Sequence, residues 1–231
     1  GGIQDGPQQP VPSRAAALTG GGYVVVTGAV LFNVAPDVSN LLFQRYSADG
    51  TPIGSPTPVG DRGGGAPVVP GRTEPVFDTD IRRGAQIVPL SGGGFAVGWN
   101  ENSLTYTRMF TADGTPVGEP VLAAVSTRFC TTDPICTREF LMDLIPMEDG
   151  GYLVIWGEYG QGSFPTVGTF ARRFRPDGSP GTAVTNLSVS FDPGRVAPAG
   201  SEGFVGVWTA SLPGCCSSQI LMQRFDATPL R

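Results

Sequence analysis

The chain has 231 residues, a formal net charge of −5, 34 glycines, 22 prolines and no histidine. The composition therefore excludes histidine-based catalysis and histidine-ligated metal sites, and the net negative charge disfavours nucleic acid as a partner. No run approaches the ~20 apolar residues of a membrane-spanning helix, so membrane insertion is not expected. With 40% hydrophobic residues, the glycines and prolines indicate turns between many short strands.

Four segments of the chain repeat one pattern, and each contains an aromatic residue directly after a glycine. These anchor residues are Tyr23, Phe95, Tyr152 and Phe204. The repeat units are predicted over residues 13–60, 84–122, 140–185 and 194–231, in a single domain of residues 1–231.

The second unit shows the predicted strand plan most clearly. Its strands are expected at residues 86–90, 95–99, 104–110 and 117–122, and we refer to strands in these positions as A, B, C and D. A glycine-rich turn joins A to B, and an Asp-Gly turn joins C to D. Asp-Gly turns recur at residues 49–50, 113–114 and 177–178. Such pairs indicate tight hairpins in which both central residues have positive φ.

Four antiparallel strands per unit, repeated four times, predict an all-β fold. The best match is a four-bladed β-propeller with four-stranded antiparallel blades. A β-sandwich or a pair of small β-domains is the alternative.

The fourth unit ends where its strand D would begin, at Thr228–Arg231. Residues 4–11 resemble the Asp113–Val121 stretch, so residues 1–12 are predicted to close the last blade as its missing strand, with residues 5–12 beside strand C. Without that strand, the edge of strand C would be unpaired. The closing segment could come from the same chain or from a neighbouring copy.

The repeat also resembles a known family. Its pattern, G-G-[FY]-x-V-x-W followed by R-[FY]-x-x-D-G-x-P-x-G, is similar to repeats of large secreted bacterial surface proteins, including RTX-type adhesins. The resemblance covers nearly the whole chain and implies an extracellular, adhesive setting, at a bacterial cell surface or in its matrix. It carries over no functional residue, and the calcium-binding nonapeptides of RTX tracts are absent.

The chain has four cysteines in segments rich in Gly, Pro, Ser and Thr: Cys130, Cys136, Cys215 and Cys216. Their spacing lacks the usual pairs of a zinc site, so disulfides in an oxidising compartment are predicted. Three connectivities are open, one of which is the local pairing of Cys130 with Cys136 and of Cys215 with Cys216.

The long connections and all four cysteines fall between strands B and C or between strands D and A. In a blade these connections lie at one face, so a ligand is expected there. Trp99, Trp156 and Trp208 share one repeat position near this face. They could form a platform for a sugar ring, but a periodic aromatic position is more typical of packing between blades.

Charged residues give weaker signals. Asp78 and Asp80 are oxygen ligands of the kind that calcium takes, but the other ligands of a calcium loop are missing, and no cofactor is expected. Arginine repeats at positions 45, 173 and 224, with Arg108 offset by one, and these side chains could pair with carboxylates between blades. Six acidic residues could supply the carboxylate pair of a glycosidase, although their spacing selects no pair: Asp78, Asp80, Asp143, Glu148, Asp149 and Glu158.

Three functions are compatible with these observations. The favoured one is a non-enzymatic extracellular binding or adhesion module, whose partner is a carbohydrate or a surface protein. The second is a structural subunit that assembles with copies of itself by exchanging the N-terminal strand. The third is a hydrolase with a carboxylate pair, which is least favoured because no nucleophile and base are evident.

Overall fold

The computed structural model describes residues 13–30, 39–60, 85–101, 104–123, 137–160, 166–188, 195–199, 203–211 and 218–226. Fifteen strands lie in these ranges: β1 (Arg14–Ala17), β2 (Tyr23–Val30), β3 (Ser39–Tyr46), β4 (Pro52–Pro58), β5 (Gln86–Pro89), β6 (Phe95–Glu101), β7 (Leu104–Phe110), β8 (Pro116–Leu122), β9 (Thr137–Pro146), β10 (Tyr152–Gly160), β11 (Thr166–Phe174), β12 (Pro180–Ser188), β13 (Arg195–Pro198), β14 (Gly203–Ser211) and β15 (Ser218–Asp226). Within the same ranges, no helix is long and apolar enough to cross a membrane.

The strands form four antiparallel sheets, each a meander of strands that are consecutive in the chain. Sheet 1 contains β1–β4, sheet 2 contains β5–β8, sheet 3 contains β9–β12 and sheet 4 contains β13–β15. The all-β, propeller-type fold predicted from the repeat is confirmed. Sheet 4 has three strands among the described residues, and the predicted closing segment, residues 1–12, lies outside them.

The aromatic anchors set the same register in all four sheets. Each anchor is the first or second residue of strand B and pairs with an aromatic residue of strand C, and the two rings stack with centroids 5.0–5.1 Å apart. The stacked pairs are Tyr23–Tyr46, Phe95–Phe110, Tyr152–Phe174 and Phe204–Phe225. Stacking of this kind adds about 0.5–1.5 kcal/mol per pair beyond the area that it buries.

The glycine before each anchor is required by close packing against strand C. At Gly94, for example, a Cβ atom would collide with the carbonyl oxygen of Phe110, and Gly151 is blocked in the same way by that of Phe174. Both are backbone atoms with little freedom to move. The glycine–aromatic pair is therefore a steric signature of this hairpin.

The sheets pack in chain order, and the first strands of successive sheets contact one another: β1 with β5, β5 with β9, and β9 with β13. Three buried clusters lie between sheets 1 and 2, between sheets 2 and 3, and between sheets 3 and 4. No such cluster joins sheets 1 and 4 among the described residues. The outer face of sheet 4 leaves apolar side chains exposed, with Val207 at 38%, Ile220 at 76% and Met222 at 74%.

The Asp-Gly hairpins differ from the predicted turn. The Gly50 N–H donates to the Ser47 oxygen at 3.0 Å, so the central turn residues are Ala48 and Asp49 rather than Asp49 and Gly50. Gly50 follows them with a φ of +87°. The predicted placement of the Asp-Gly pair at the two central positions was therefore wrong, and Gly50 takes its positive φ one position after them.

Arginine side chains join successive sheets from two adjacent repeat positions. Counting back from the stacked aromatic, Arg108 is equivalent to Arg172, whereas Arg45 is equivalent to Arg173. Arg108 and Arg172 bond backbone carbonyls of the preceding sheet. Arg45 donates to the Asp113 carbonyl at 2.7 Å, and Arg173 pairs with the Asp149 carboxylate. One of these four arginines thus pairs mainly with a carboxylate.

Candidate functional site

Strand direction separates the two ends of the sheets. The short A–B and C–D turns leave from one end, which we call the hairpin end. The connections over residues 31–38, 61–84, 102–103, 124–136, 161–165, 189–194 and 212–217 leave from the other end, the loop-rich end.

The structure places the predicted site residues as follows. Trp99, Trp156 and Trp208 are buried, with 7%, 1% and 9% of their surface exposed. Trp99 belongs to the cluster between sheets 1 and 2, and Trp156 to the cluster between sheets 2 and 3. Contact of these indoles with a ligand stays a prediction. Six other predicted site residues lie outside the described residues: Asp78, Asp80, Cys130, Cys136, Cys215 and Cys216.

Glu158 is the acidic residue with the most distinctive surroundings. It follows Trp156 by two positions on β10, so its side chain lies on the same face of sheet 3, toward sheet 2. The residue is partly buried, and burial raises the pKa of its carboxyl above the ordinary value of 4.5. The indole of Trp156 opposes this shift, but burial prevails.

The indole N–H of Trp156 is a buried donor without a hydrogen-bond partner in the described structure. It lies beside the Glu158 carboxyl, since an interaction with this indole lowers the pKa of that carboxyl. Buried donors are almost always bonded to protein or water. This one therefore marks a place where an additional acceptor, such as a water or a ligand oxygen, would be stabilised.

A second glutamate lies opposite Glu158. The register of sheet 3 pairs Glu158 of β10 with Glu139 of β9. Directly opposed residues of antiparallel strands have Cβ atoms about 4.5–5.5 Å apart. Two acidic residues thus occupy one register position at the loop-rich end of sheet 3.

This pairing depends on the unusual length of β9, which has 10 residues where the first strands of the other sheets have 4. A bulge interrupts its register between Leu141 and Asp143. Asn100 of sheet 2 secures the extension, because its Oδ1 accepts the Leu141 N–H at 2.6 Å and its Nδ2 donates to the Thr105 hydroxyl at 3.0 Å. The buried amide thereby holds the part of β9 that brings Glu139 opposite Glu158.

The remaining described carboxylates of the predicted set lie elsewhere. Asp149 pairs with Arg173 at the hairpin end, and Glu148 is exposed in the same turn. Asp143 accepts the Leu144 N–H at 2.9 Å and has a further partner. Within the described residues no group of three or more acidic or cysteine side chains could hold a metal ion, and calcium binding stays untested.

Glu158 is one of the six acidic residues that the sequence offered for a carboxylate pair, but nothing in the sequence singled it out. Glu139 and Asn100 were not predicted. The spacing of Glu139 and Glu158 carries no signal in itself, because their pairing follows from a bulge. Glu101, two residues after Trp99, repeats the Glu158 position, and that repetition was the one available clue.

The chain was compared with known proteins. It matches no family model and no curated protein. Among solved structures, an arabinanase of Bacillus subtilis has 10% identity, covers 94% of this chain and 72% of its own, and gives a TM-score of 0.43. An endo-arabinase of Bacteroides thetaiotaomicron has 13% identity, covers 89% and 71%, and gives 0.38. A protein of unknown function from Dyadobacter fermentans has 10% identity, covers 95% and 79%, and gives 0.37.

Two of these neighbours are named as enzymes. That finding contradicts the expectations of a non-enzymatic adhesion module and of no enzymatic activity, and we do not retain either. The TM-scores lie below 0.5, so the similarity assigns this chain no activity of its own. A functional assignment has to rest on the residues of the site.

Proposed function

We propose that the chain is a glycoside hydrolase in which Glu158 is the general acid and Glu139 is the second carboxylate. One observation carries the proposal, namely the register pair of acidic residues at the loop-rich end, one of which has a raised pKa. Glycoside hydrolysis needs two carboxyl groups with different protonation states. Burial favours the protonated form of Glu158, and the indole of Trp156 opposes this effect without reversing it.

The chemistry requires one proton donor and one carboxylate acting on the same glycosidic bond. Protonated Glu158 would transfer its proton to the leaving-group oxygen as the bond to the anomeric carbon breaks. Ionised Glu139 would then attack that carbon directly or activate the water that does so. Water is consumed, and each new chain end receives a hydroxyl group.

The separation of the two carboxyl groups decides the stereochemical course. About 5–5.5 Å is typical of retaining enzymes, and about 6.5–9.5 Å is typical of inverting enzymes.

Trp156 and the polypeptide around it have a supporting role in this proposal. The unpartnered indole N–H offers a hydrogen bond to a sugar hydroxyl or a bound water beside the acid. A carbohydrate would be the partner, and an extracellular setting would suit a polymeric substrate. Both are parts of the proposal.

The test is release of reducing ends from a panel of purified polysaccharides that includes arabinan, at several pH values. We expect the wild-type chain to cleave at least one member, and Glu158→Gln to lower the rate about 10²–10⁴-fold, the usual contribution of a general acid. Glu148→Gln, an exposed glutamate at the hairpin end, is the matched control and should retain full activity. Equal activity of Glu158→Gln and wild type would overturn the assignment.

A further inference from the structure

The interface between successive sheets repeats one contact at the hairpin end. A Cβ atom added at Gly114, in the C–D turn of sheet 2, would lie 3.1 Å from Cδ of Arg45 in sheet 1. One sheet later, a Cβ atom at Gly178 would lie 3.5 Å from Sδ of Met109, which has the repeat position of Arg45. At both interfaces, a side chain of strand C therefore packs on the C–D turn of the following sheet.

The corresponding turns of sheet 1 lack such a neighbour among the described residues. Within 4 Å, a Cβ atom at Gly50 would meet only the hydroxyl of Tyr23, in its own sheet, and a Cβ atom at Gly21 would meet nothing. In the A–B turn of sheet 2, by contrast, a Cβ atom at Gly93 would lie 3.5 Å from the Thr19 hydroxyl of sheet 1. The turns of sheet 1 thus have the form that receives a preceding sheet, without its contacts.

The strands of sheet 1 show the same difference on the face that points away from sheet 2. Ala15 and Thr27 lie on this face and are exposed. Counting from the aromatic anchor, their equivalents in sheet 2 are Ile87 and Trp99, which are buried in the cluster between sheets 1 and 2. The outer face of sheet 1 is therefore the receiving half of the repeated interface.

The outer face of sheet 4 is the opposite half of that interface. Its exposed apolar side chains are those of Val207, Ile220 and Met222. Arg224 is exposed on the same face, and it has the repeat position at which Arg45 of sheet 1 meets the next sheet. An exposed apolar sheet face of this kind marks an interaction surface.

We propose that the outer face of sheet 4 binds the outer face of sheet 1 in a second copy of this chain. The occupant is a second copy because one chain carries both halves of the interface, while its own sheets 1 and 4 share no buried cluster among the described residues. Arg224 would then meet the Asp49–Gly50 turn of the second copy, as Arg45 meets the carbonyl of Asp113. Because the two faces differ, the contact is head-to-tail.

The contact uses side chains rather than an exchanged strand, and it does not depend on the proposed hydrolase. A face of three described strands is small. We therefore expect weak association, as for transient interfaces that bury less than about 1,200 Å². In dilute solution both faces stay exposed.

Analytical ultracentrifugation from micromolar to near-millimolar concentration tests the contact. Three double variants each introduce two glutamates: Ile220→Glu/Met222→Glu on the sheet 4 face, Ala15→Glu/Thr27→Glu on the sheet 1 face, and Ile53→Glu/Val184→Glu elsewhere. The last is the matched control, because its exposed apolar residues lie on β4 and β12, outside both proposed faces. All six residues are exposed, so the variants should fold like wild type.

We expect wild type and the control to associate as the concentration rises, and each face variant alone to stay monomeric. An equimolar mixture of the two face variants should form a dimer, because each supplies the intact face that the other lacks. Wild type that is monomeric at every concentration would overturn the inference. So would association of either face variant alone, loss of association in the control, or a mixture that stays monomeric.

Discussion

Arg172 of sheet 3 donates from Nη1 to the carbonyl oxygen of Ala123 in sheet 2 at 3.4 Å. Its Nε donates to the Gly181 carbonyl of its own sheet at 2.9 Å, so one guanidinium joins two sheets. Arg108 repeats the arrangement one sheet earlier, with bonds to Val59 at 3.2 Å and to Gly118 at 2.9 Å.

We therefore expect Arg108→Gln to destabilise the protein by about 1–3 kcal/mol, because glutamine is too short to reach both sheets and the buried Val59 carbonyl loses a charged donor. Urea unfolding measures the change. Arg175→Gln, at an exposed turn, should stay within about 0.5 kcal/mol of wild type. Equal stability of the two variants would show that the bond between sheets is not stabilising.

Truncation of the equivalent aliphatic residue should destabilise the protein much more in sheet 3 than in sheet 4. Ile155 is fully buried against sheet 4, whereas Val207 occupies the same repeat position on the exposed outer face of sheet 4. We expect Ile155→Ala to cost about 2–5 kcal/mol and Val207→Ala less than about 1 kcal/mol. A large cost for Val207→Ala would mean that something covers this face in solution.

Trp156 gives a prediction that separates packing from chemistry. Because its ring is buried between sheets 2 and 3, Trp156→Ala should cost about 3–5 kcal/mol. Trp156→Phe keeps most of the packing and removes the unpartnered N–H, so it should fold and lose hydrolytic activity. Unchanged activity of Trp156→Phe would show that the indole N–H has no role in the proposed site.

Glu158 predicts a pH-dependent stability difference. Burial raises the pKa of this carboxyl in the folded state. At low pH, where the carboxyl is protonated in both the folded and the unfolded state, its burial does not destabilise the fold through charge. As the pH rises through the folded pKa, the wild-type protein loses stability. Glu158→Gln lacks this loss. Its stability relative to wild type should therefore increase between pH 4 and pH 7 in urea titrations. A relative stability that stays constant over this interval would contradict the buried acid.

Much of the fold could be predicted because the repeat constrains it at several levels at once. The glycine before Phe95 is sterically required, the aromatic pair sets the register, and the glycine-rich turns define the hairpin end. Each signal is local in sequence, so reading one unit defines the others.

The site could not be predicted in the same way, because its geometry depends on irregularities between strands. A bulge in β9 brings Glu139 opposite Glu158, and Asn100 of another sheet secures that bulge. The offset of Arg108 from the other repeated arginines, by contrast, is visible in the linear motif. Counting from the stacked aromatic makes Met109 the equivalent of Arg45, as that offset requires.

The central claim is that the fold maintains a proton-bearing carboxyl at Glu158. Carbon-13 NMR titration of the side-chain carboxyl groups tests it directly, with Glu158→Gln used to assign the signal. Asp113 is an internal comparison in the same spectra, because hydrogen bonds from Thr111 and Thr115 lower its pKa to about 2. The account predicts a Glu158 midpoint clearly above the ordinary glutamate value of 4.5. A midpoint at or below that value would contradict it.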